Sequence, residues 1–309
     1  MQNIISTIFS ASFLFSILRL TTPILLAALA ALITDRAGVM NIGLEGIMLC
    51  SALAGVVGSA YTQNAFLGLL FAMFIGSLLG VIMAYCALNL KTDIILTGIA
   101  INLFASGGTV FILYSICKDK GMSTSLASLT LPSIDIPLIK DIPFLGTIFS
   151  GHNFLTYIAF LSVIVIWALL YKTPLGLRIR VVGENPNAAE SVGINVRKTQ
   201  YYVLIISGIL ASLGGAYMSM GYMDKFARDM VAGRGFIALA AEALGTGTPL
   251  GVMGSSLIFG AADALASNLQ VLRVPVQFIQ MIPYLLTIVG LIVYSISKSR
   301  QIKKIYLQK

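Results

Sequence analysis

Polar and apolar positions divide this chain into long hydrophobic runs separated by short polar breaks. No Asp, Glu, Lys or Arg occurs from Gly46 to Leu90, Ile94 to Cys117, Ile142 to Tyr171, Thr199 to Met223 or Val274 to Ser297. About 20 apolar residues in a helix cross a bilayer core of about 30 Å. Each window therefore supplies at least one span, and the first nearly two. Spans are expected near 11–33, 41–60, 66–89, 94–116, 154–172, 200–222, 250–269 and 277–297. The apolar piece at 233–246 is too short to cross alone and reads as a half-helix or re-entrant segment, which is stable only where protein or an aqueous cavity surrounds it. Residues 4–33 read as one tilted helix or two shorter pieces, so the count is eight to ten. The expected fold is an all-α polytopic membrane protein, with residues 1–309 forming a single transmembrane domain. A β-barrel would instead show alternating segments of about ten residues.

Composition sharpens this. The chain is 58% hydrophobic and 10% charged, with mean hydropathy +0.93, whereas soluble domains carry about 25% charged residues. The net charge of +8 is not a nucleic-acid signal, because half of the 20 basic residues sit in two places. One is the polar stretch 172–199, with Lys172, Arg178, Arg180, Arg197 and Lys198 against Glu184 and Glu190. The other is the tail 298–309, with Lys298, Arg300, Lys303, Lys304 and Lys309. Lys and Arg near span ends resist translocation and attract anionic lipid, so both segments are expected in the cytoplasm. In 117–153, Lys118, Lys120 and Lys140 are balanced by Asp119, Asp135 and Asp141, and Pro132, Pro137 and Pro143 suit an external loop. The first span lacks a basic leader or a small-residue cleavage site and is expected to be kept as an anchor. With this topology, an acid-bearing helix around Glu45 followed by spans 66–89 and 94–116 has an oppositely oriented counterpart. That counterpart is Glu242 followed by 250–269 and 277–297, the order of an inverted repeat.

Little in the sequence points to enzymatic chemistry. Gly245-Thr-Gly-Thr-Pro-Leu-Gly251 lacks the Lys-Ser/Thr ending of a phosphate-binding loop and reads as a helix break. The single histidine, His152, has no carboxylate or Cys at ligand spacing, and Cys50, Cys86 and Cys117 read as small buried hydrophobes. No metal site is expected. Ionisable residues inside apolar segments are costly and usually face the protein interior. Asn41 and Glu45 are four apart and would share a helix face; they either hydrogen-bond a polar solute or form a buried structural pair with Arg36. Glu242 either lines a cavity or partners Arg234. Asn102, Asp263 and Asn268 read as interhelical bonds, with a place on the solute pathway as the alternative. Arg19 and Arg273 are expected to snorkel towards an interface. Within 172–199, residues 187–194 can form a short helix led by polar cap residues.

The run Pro174-Leu-Gly-Leu-Arg-Ile-Arg-Val-Val-Gly-Glu-Asn-Pro-Asn-Ala-Ala-Glu-Ser-Val-Gly-Ile-Asn195 resembles the cytoplasmic loop of bacterial ABC importer permeases. The group is the one that includes branched-chain amino acid, ribose-type sugar and nucleoside importers, with a type II importer-like fold. Asp35-Arg-Ala-Gly-Val-Met-Asn-Ile-Gly-Leu-Glu-Gly46 and Gly233-Arg-Gly-Phe-Ile-Ala-Leu-Ala-Ala-Glu242 resemble its nucleoside branch more narrowly. The resemblance implies a non-enzymatic transport subunit in a bacterial inner membrane. It would pair with a second, homologous permease chain, dock a P-loop ATPase that holds the ATP and magnesium, and receive solute from an extracytoplasmic lipoprotein. The implied coupling helix is Asn187–Gly193, with Glu184, Glu190 and Arg197 as docking contacts and Gly183, Pro186 and Gly193 at its ends. Asn41, Glu45, Asn102, Glu242 and Asn268, polar residues within or beside apolar segments, are the pathway candidates read from the residues themselves. A sugar or amino acid permease, or an ion-driven secondary transporter, would use similar spans; the last has no need of a long docking loop.

Overall fold

A computed structural model describes residues 11–137, 145–269 and 292. Its centre is α1 (Ala11–Asp35), which is apolar on all sides and therefore has no face suited to water. Every residue from Leu20 to Thr34 is buried, and α1 is enclosed by the later spans α6, α9 and α11 and by the half-helix α10. The remaining spans are α2 (Leu44–Thr62), α3 (Ala65–Ala84), α4 (Ile94–Cys117), α6 (Phe154–Lys172), α9 (Val196–Tyr217) and α11 (Pro249–Leu269). Short helices α5 (Leu145–Phe149), α7 (Pro174–Glu184), α8 (Pro186–Ser191) and α10 (Arg234–Leu244) lie between them. A two-stranded antiparallel hairpin pairs β1 (Ser133–Ile134) with β2 (His152–Asn153). Seven of these helices are long and apolar enough to cross a membrane. The expected span 277–297, the tail 298–309 and Arg273 lie outside the described residues, as does the last member of the suggested repeat.

Short polar residues start most spans. Asn64 accepts from the backbone N–H of Phe66 and Leu67, Asp93 from Ile95 and Leu96, Asn153 from Leu155, and Asn195 from Lys198. Each such cap satisfies amides that a helix leaves free at its N-terminus, at about 1 kcal/mol per cap. Two spans end in a π-helical turn, Tyr85–Asn89 after α3 and Met218–Tyr222 after α9. Between them, α3 and α9 cross at Gly76 and Gly208: a Cβ on either would run into the backbone carbonyl of the other. Small residues are what let helices approach this closely in lipid. The outer faces of α3, α4 and α6 expose Phe74, Leu103, Phe104, Phe111 and Ile164, a surface that acyl chains cover and water would not.

The two ends of α1 define two poles. At the Asp35 pole lie the polar stretch beyond Lys172 and the end of α10. At the Arg19 pole, residues 117–137 lie against the segment after α9: Ser123 and Phe226 exchange bonds, and Leu131 N–H donates to Met220 O at 2.8 Å. The expected cytoplasmic and external loops thus occupy opposite ends. The piece at 233–246 is an 11-residue helix, about 16 Å long and half a bilayer core. In contrast, the polar stretch is more ordered than one short central helix: α7 and α8 fill it, and α9 already begins at Val196.

Replacing Gly208 with Leu is expected to force α3 from α9 and cost about 1–3 kcal/mol by overpacking. The loss should appear as a lower unfolding temperature of the detergent-solubilised permease. Gly107→Ala, at a position with nothing within 4 Å, should leave that temperature unchanged.

Candidate functional site

Thr173 caps α7 by accepting from Gly176 N–H at 3.1 Å, and Pro174 opens the helix. Its buried residues Gly176, Ile179 and Val182 recur every three positions and turn one face towards α6 and α9. The sequence reading missed this helix because Arg178 and Arg180 mask the apolar stripe, although the Thr-Pro start and the three-residue spacing were visible. At its far end Gly183 lies so close to Arg36 that a side chain there would strike the Arg36 carbonyl. Asn185 then caps α8 by accepting from Ala188 N–H at 3.1 Å, Pro186 opens it, and only Ala189 is buried. Gly193, at φ +82°, ends the excursion in a left-handed conformation that suits glycine. The expected helix 187–193 is therefore Pro186–Ser191, and Gly193 stands beyond it.

Glu184, Asn187, Glu190 and Arg197 are all exposed on this projection. Arg197 is also engaged: its Nε donates to Asn89 Oδ1 at 3.0 Å, and Tyr201 OH donates to the same oxygen at 2.7 Å. Asn89, the last residue of the π turn after α3, was not foreseen, since an uncharged residue at a span end carries no sequence signal of its own. Gln200 Nε2 donates to Ala37 O at 3.3 Å. The projecting helix is thus braced through α7 and α9 against the turn that joins α1 to α2.

That turn leads to the second half of the site. The Glu45 carboxylate accepts from Gly233 N–H at 2.8 Å and Gly235 N–H at 2.7 Å, so it closes the N-terminus of α10. Gly235 permits the approach, because a Cβ there would meet Glu45 itself. At the other end of α10, the Arg36 guanidinium donates from Nε to Gly247 O at 2.7 Å and also through its terminal nitrogen. An anion at the N-terminus and a cation at the C-terminus both complement the helix dipole. The segments Asp35–Gly46 and Gly233–Glu242, distant in sequence, are therefore one structural unit.

Several expected pairings change. Arg36 serves the carbonyls after α10 rather than Glu45. Arg234 pairs with Asp263 at 3.6 Å rather than with Glu242, and Glu242 is buried where the charges of Asp35 and Arg36 act on it. Asn41 precedes α2 and does not share a helix face with Glu45. It is fully buried, donates to Ser207 Oγ at 3.0 Å and accepts from Gly43 N–H at 2.9 Å. Asn102 ties α4 to the start of α2, accepting from Gly46 N–H at 2.7 Å and donating to Ile42 O at 3.0 Å. Asn268 is exposed near the end of α11. Among the described residues, no cluster of three or more His, Cys, Asp or Glu is arranged to hold a metal.

Residues 13–291 match the family model described as the permease component of the branched-chain amino acid transport system. The chain belongs to this family. The permease is 38% identical over 280 residues to the guanosine ABC transporter permease protein NupQ of Bacillus subtilis, covering 87% of each chain. It is 34% identical over 285 residues to the nucleoside ABC transporter permease protein NupC of Lactococcus lactis, covering 89% of each. A solved metal-chelate type ABC transporter in an inward-facing conformation shares the fold, with TM-score 0.51 at 15% identity over 95% of the permease and 90% of that chain. The permease is a multi-pass transport component rather than an enzyme, and works with an ATPase and a substrate-binding partner.

Truncating Glu45 to Ala should strand two amides at the start of α10 and destabilise the permease by about 2–6 kcal/mol, since each unpaired donor shielded from water costs about 1–3 kcal/mol. Thermal unfolding in detergent measures this. Asn268→Ala should unfold at the parent temperature.

Proposed function

We propose that this permease imports nucleosides across a bacterial plasma membrane as one of two homologous, non-identical permease chains. The observation that carries the cargo assignment is its likeness, over nearly nine-tenths of each chain, to two permeases named for guanosine and nucleosides. Basic residues support the orientation. Arg36, Lys91, Lys172, Arg178, Arg180, Arg197 and Lys198 belong to the Asp35 pole, whereas acids and bases alternate in the segments at the other. By the positive-inside rule this balance supports the Asp35 pole as the cytoplasmic side, and the basic composition of 298–309 supports the same side for the tail. A lipoprotein would deliver solute at the Arg19 pole.

In this reading α8 is the coupling helix, and Glu184, Asn187 and Glu190 contact a P-loop ATPase subunit that holds ATP and magnesium. ATP-driven closure of that subunit displaces α8, and the displacement reaches Arg36 through Gly183 and α7. Because Arg36 and Glu45 hold opposite ends of α10, the movement is shared with the half-helix in the membrane interior. Switching by such a path needs packed elements that move as bodies, not new chemistry. Asn41, Glu45 and Asn102 serve this framework in the described geometry, and Glu242 on α10 is the pathway candidate closest to the moving parts.

The complete reconstituted complex should accumulate labelled guanosine and neither ribose nor leucine; uptake of ribose or leucine instead would reassign the cargo. Glu190→Arg should reduce guanosine uptake by at least about tenfold, equivalent to about 1.4 kcal/mol of lost coupling, while the permease unfolds at its parent temperature. Arg197 is the poorer probe because its guanidinium also holds Asn89. Normal uptake by Glu190→Arg would remove α8 from the coupling route.

A further inference from the structure

A cavity of about 670 Å³ opens at the Arg19 pole, far from the coupling helix. Its volume lies in the range of small-molecule sites, about 300–1,000 Å³. Phe15, Arg19, His152, Tyr217, Tyr222 and Asp224 contribute to its walls, and they come from α1, the β hairpin and the end of α9. None of the pathway candidates read from the sequence lines it.

The walls combine aromatic rings with a larger share of polar surface, and the rings are already organised. Phe15 and His152 stack with centroids 3.9 Å apart and planes within 10°. The imidazole is fixed by a 2.8 Å bond between Nε2 and Ile148 O, and Tyr157 packs edge-on against it. Across α1, the Arg19 guanidinium lies 4.5 Å from the centroid of the Tyr222 ring and donates to Tyr222 O at 2.9 Å. Tyr217 OH returns a bond to Arg19 O at 3.0 Å. Tyr222 is the last residue of the π turn that ends α9, and π turns recur at functional sites. Gly221 keeps the wall thin, since a Cβ there would press on the Tyr217 ring and the Asn153 amide.

The charge balance is equally specific. Burial, aided by the Arg19 charge, holds the His152 imidazole below the usual histidine range, so the ring is neutral at pH 7. Arg19 is committed to Tyr222, and Asp224 lines the same cavity. A phosphate would face that carboxylate and find the one guanidinium already engaged. Phe15 and Tyr222, each covered on one face by His152 and Arg19, suit a planar, uncharged ring on the other, and Thr130 and Ser133 in the lining suit the polar edges of such a solute.

We propose that this cavity is an entry subsite in the permease itself for an uncharged nucleoside, which it takes by stacking the base on the Phe15 and Tyr222 walls. The proposal rests on the nucleoside reading and gives the permease a share of the selectivity otherwise left to the binding partner.

Photolabelling of the complete reconstituted complex with 8-azidoguanosine tests it. Label should map to peptides containing Phe15 or Tyr222, and excess guanosine, but not ribose, leucine or guanosine monophosphate, should suppress it. Tyr222→Leu, which keeps the backbone carbonyl, should cut labelling about tenfold, in line with the worth of one base–aromatic stack, and Tyr222→Phe should recover it. If Tyr222→Leu does not assemble, the labelled position in the unsubstituted complex decides. Label elsewhere in a complex that imports guanosine overturns the subsite and leaves the nucleoside reading standing. Equal suppression by the monophosphate overturns selection for a neutral solute. A complex that imports ribose or leucine but no guanosine overturns both readings.

Discussion

A helix that stops inside a bilayer has free amides at one end and free carbonyls at the other, and lipid can satisfy neither. The whole arrangement around α10 answers that constraint. Glu45 closes the upper end with two hydrogen bonds; at the lower end the Gly245 and Thr246 amides donate to the Ala241 and Ala243 carbonyls, and Arg36 holds the turn beyond at Gly247. Both residues flank a single turn between α1 and α2, so α1, buried throughout from Leu20 to Thr34, also holds the half-helix in place. Each of these half-buried charges lies beside the end of α10 whose dipole is of opposite sign.

The same turn lies beneath the projection formed by α7 and α8. Gly183 rests on the Arg36 carbonyl, and Gln200 reaches Ala37. One short segment therefore touches the projecting loop on one side and the half-helix α10 on the other. At the opposite pole, Arg19 does comparable work, joining α1 to the end of α9 through the Tyr222 carbonyl and ring. The central helix is anchored towards both ends by an arginine bonded to a backbone carbonyl.

Much of this was legible before any coordinates. The spans fall within a few residues of the charge-free windows. The two motifs at 35–46 and 233–242 were readable as a pair, but their contact was not. Glu45 looked like a solute ligand or a partner for Arg36, because a carboxylate in an apolar segment signals only that it must be satisfied. What satisfies it is a set of backbone amides nearly two hundred residues away, and backbone amides carry no sequence signature. Asn41 was misplaced onto a helix face for a similar reason: four-residue spacing predicts a shared face only if the helix has begun, and α2 begins at Leu44.

The aromatic cavity shows the same division more sharply. Its walls come from α1, a hairpin and a π turn, and each residue alone reads as ordinary packing. Sequence by itself determined what depends on local chain chemistry: which stretches prefer lipid, where helices start, and which loop is basic enough to stay on one side. Only the tertiary structure decided which buried charge meets which helix end, how the projecting helix is braced, and where the aromatic rings converge. Hydrophobicity and capping act over a few residues and are written in order along the chain. Pairing of charges, amides and rings depends on distances between segments, which exist only once the helices have packed.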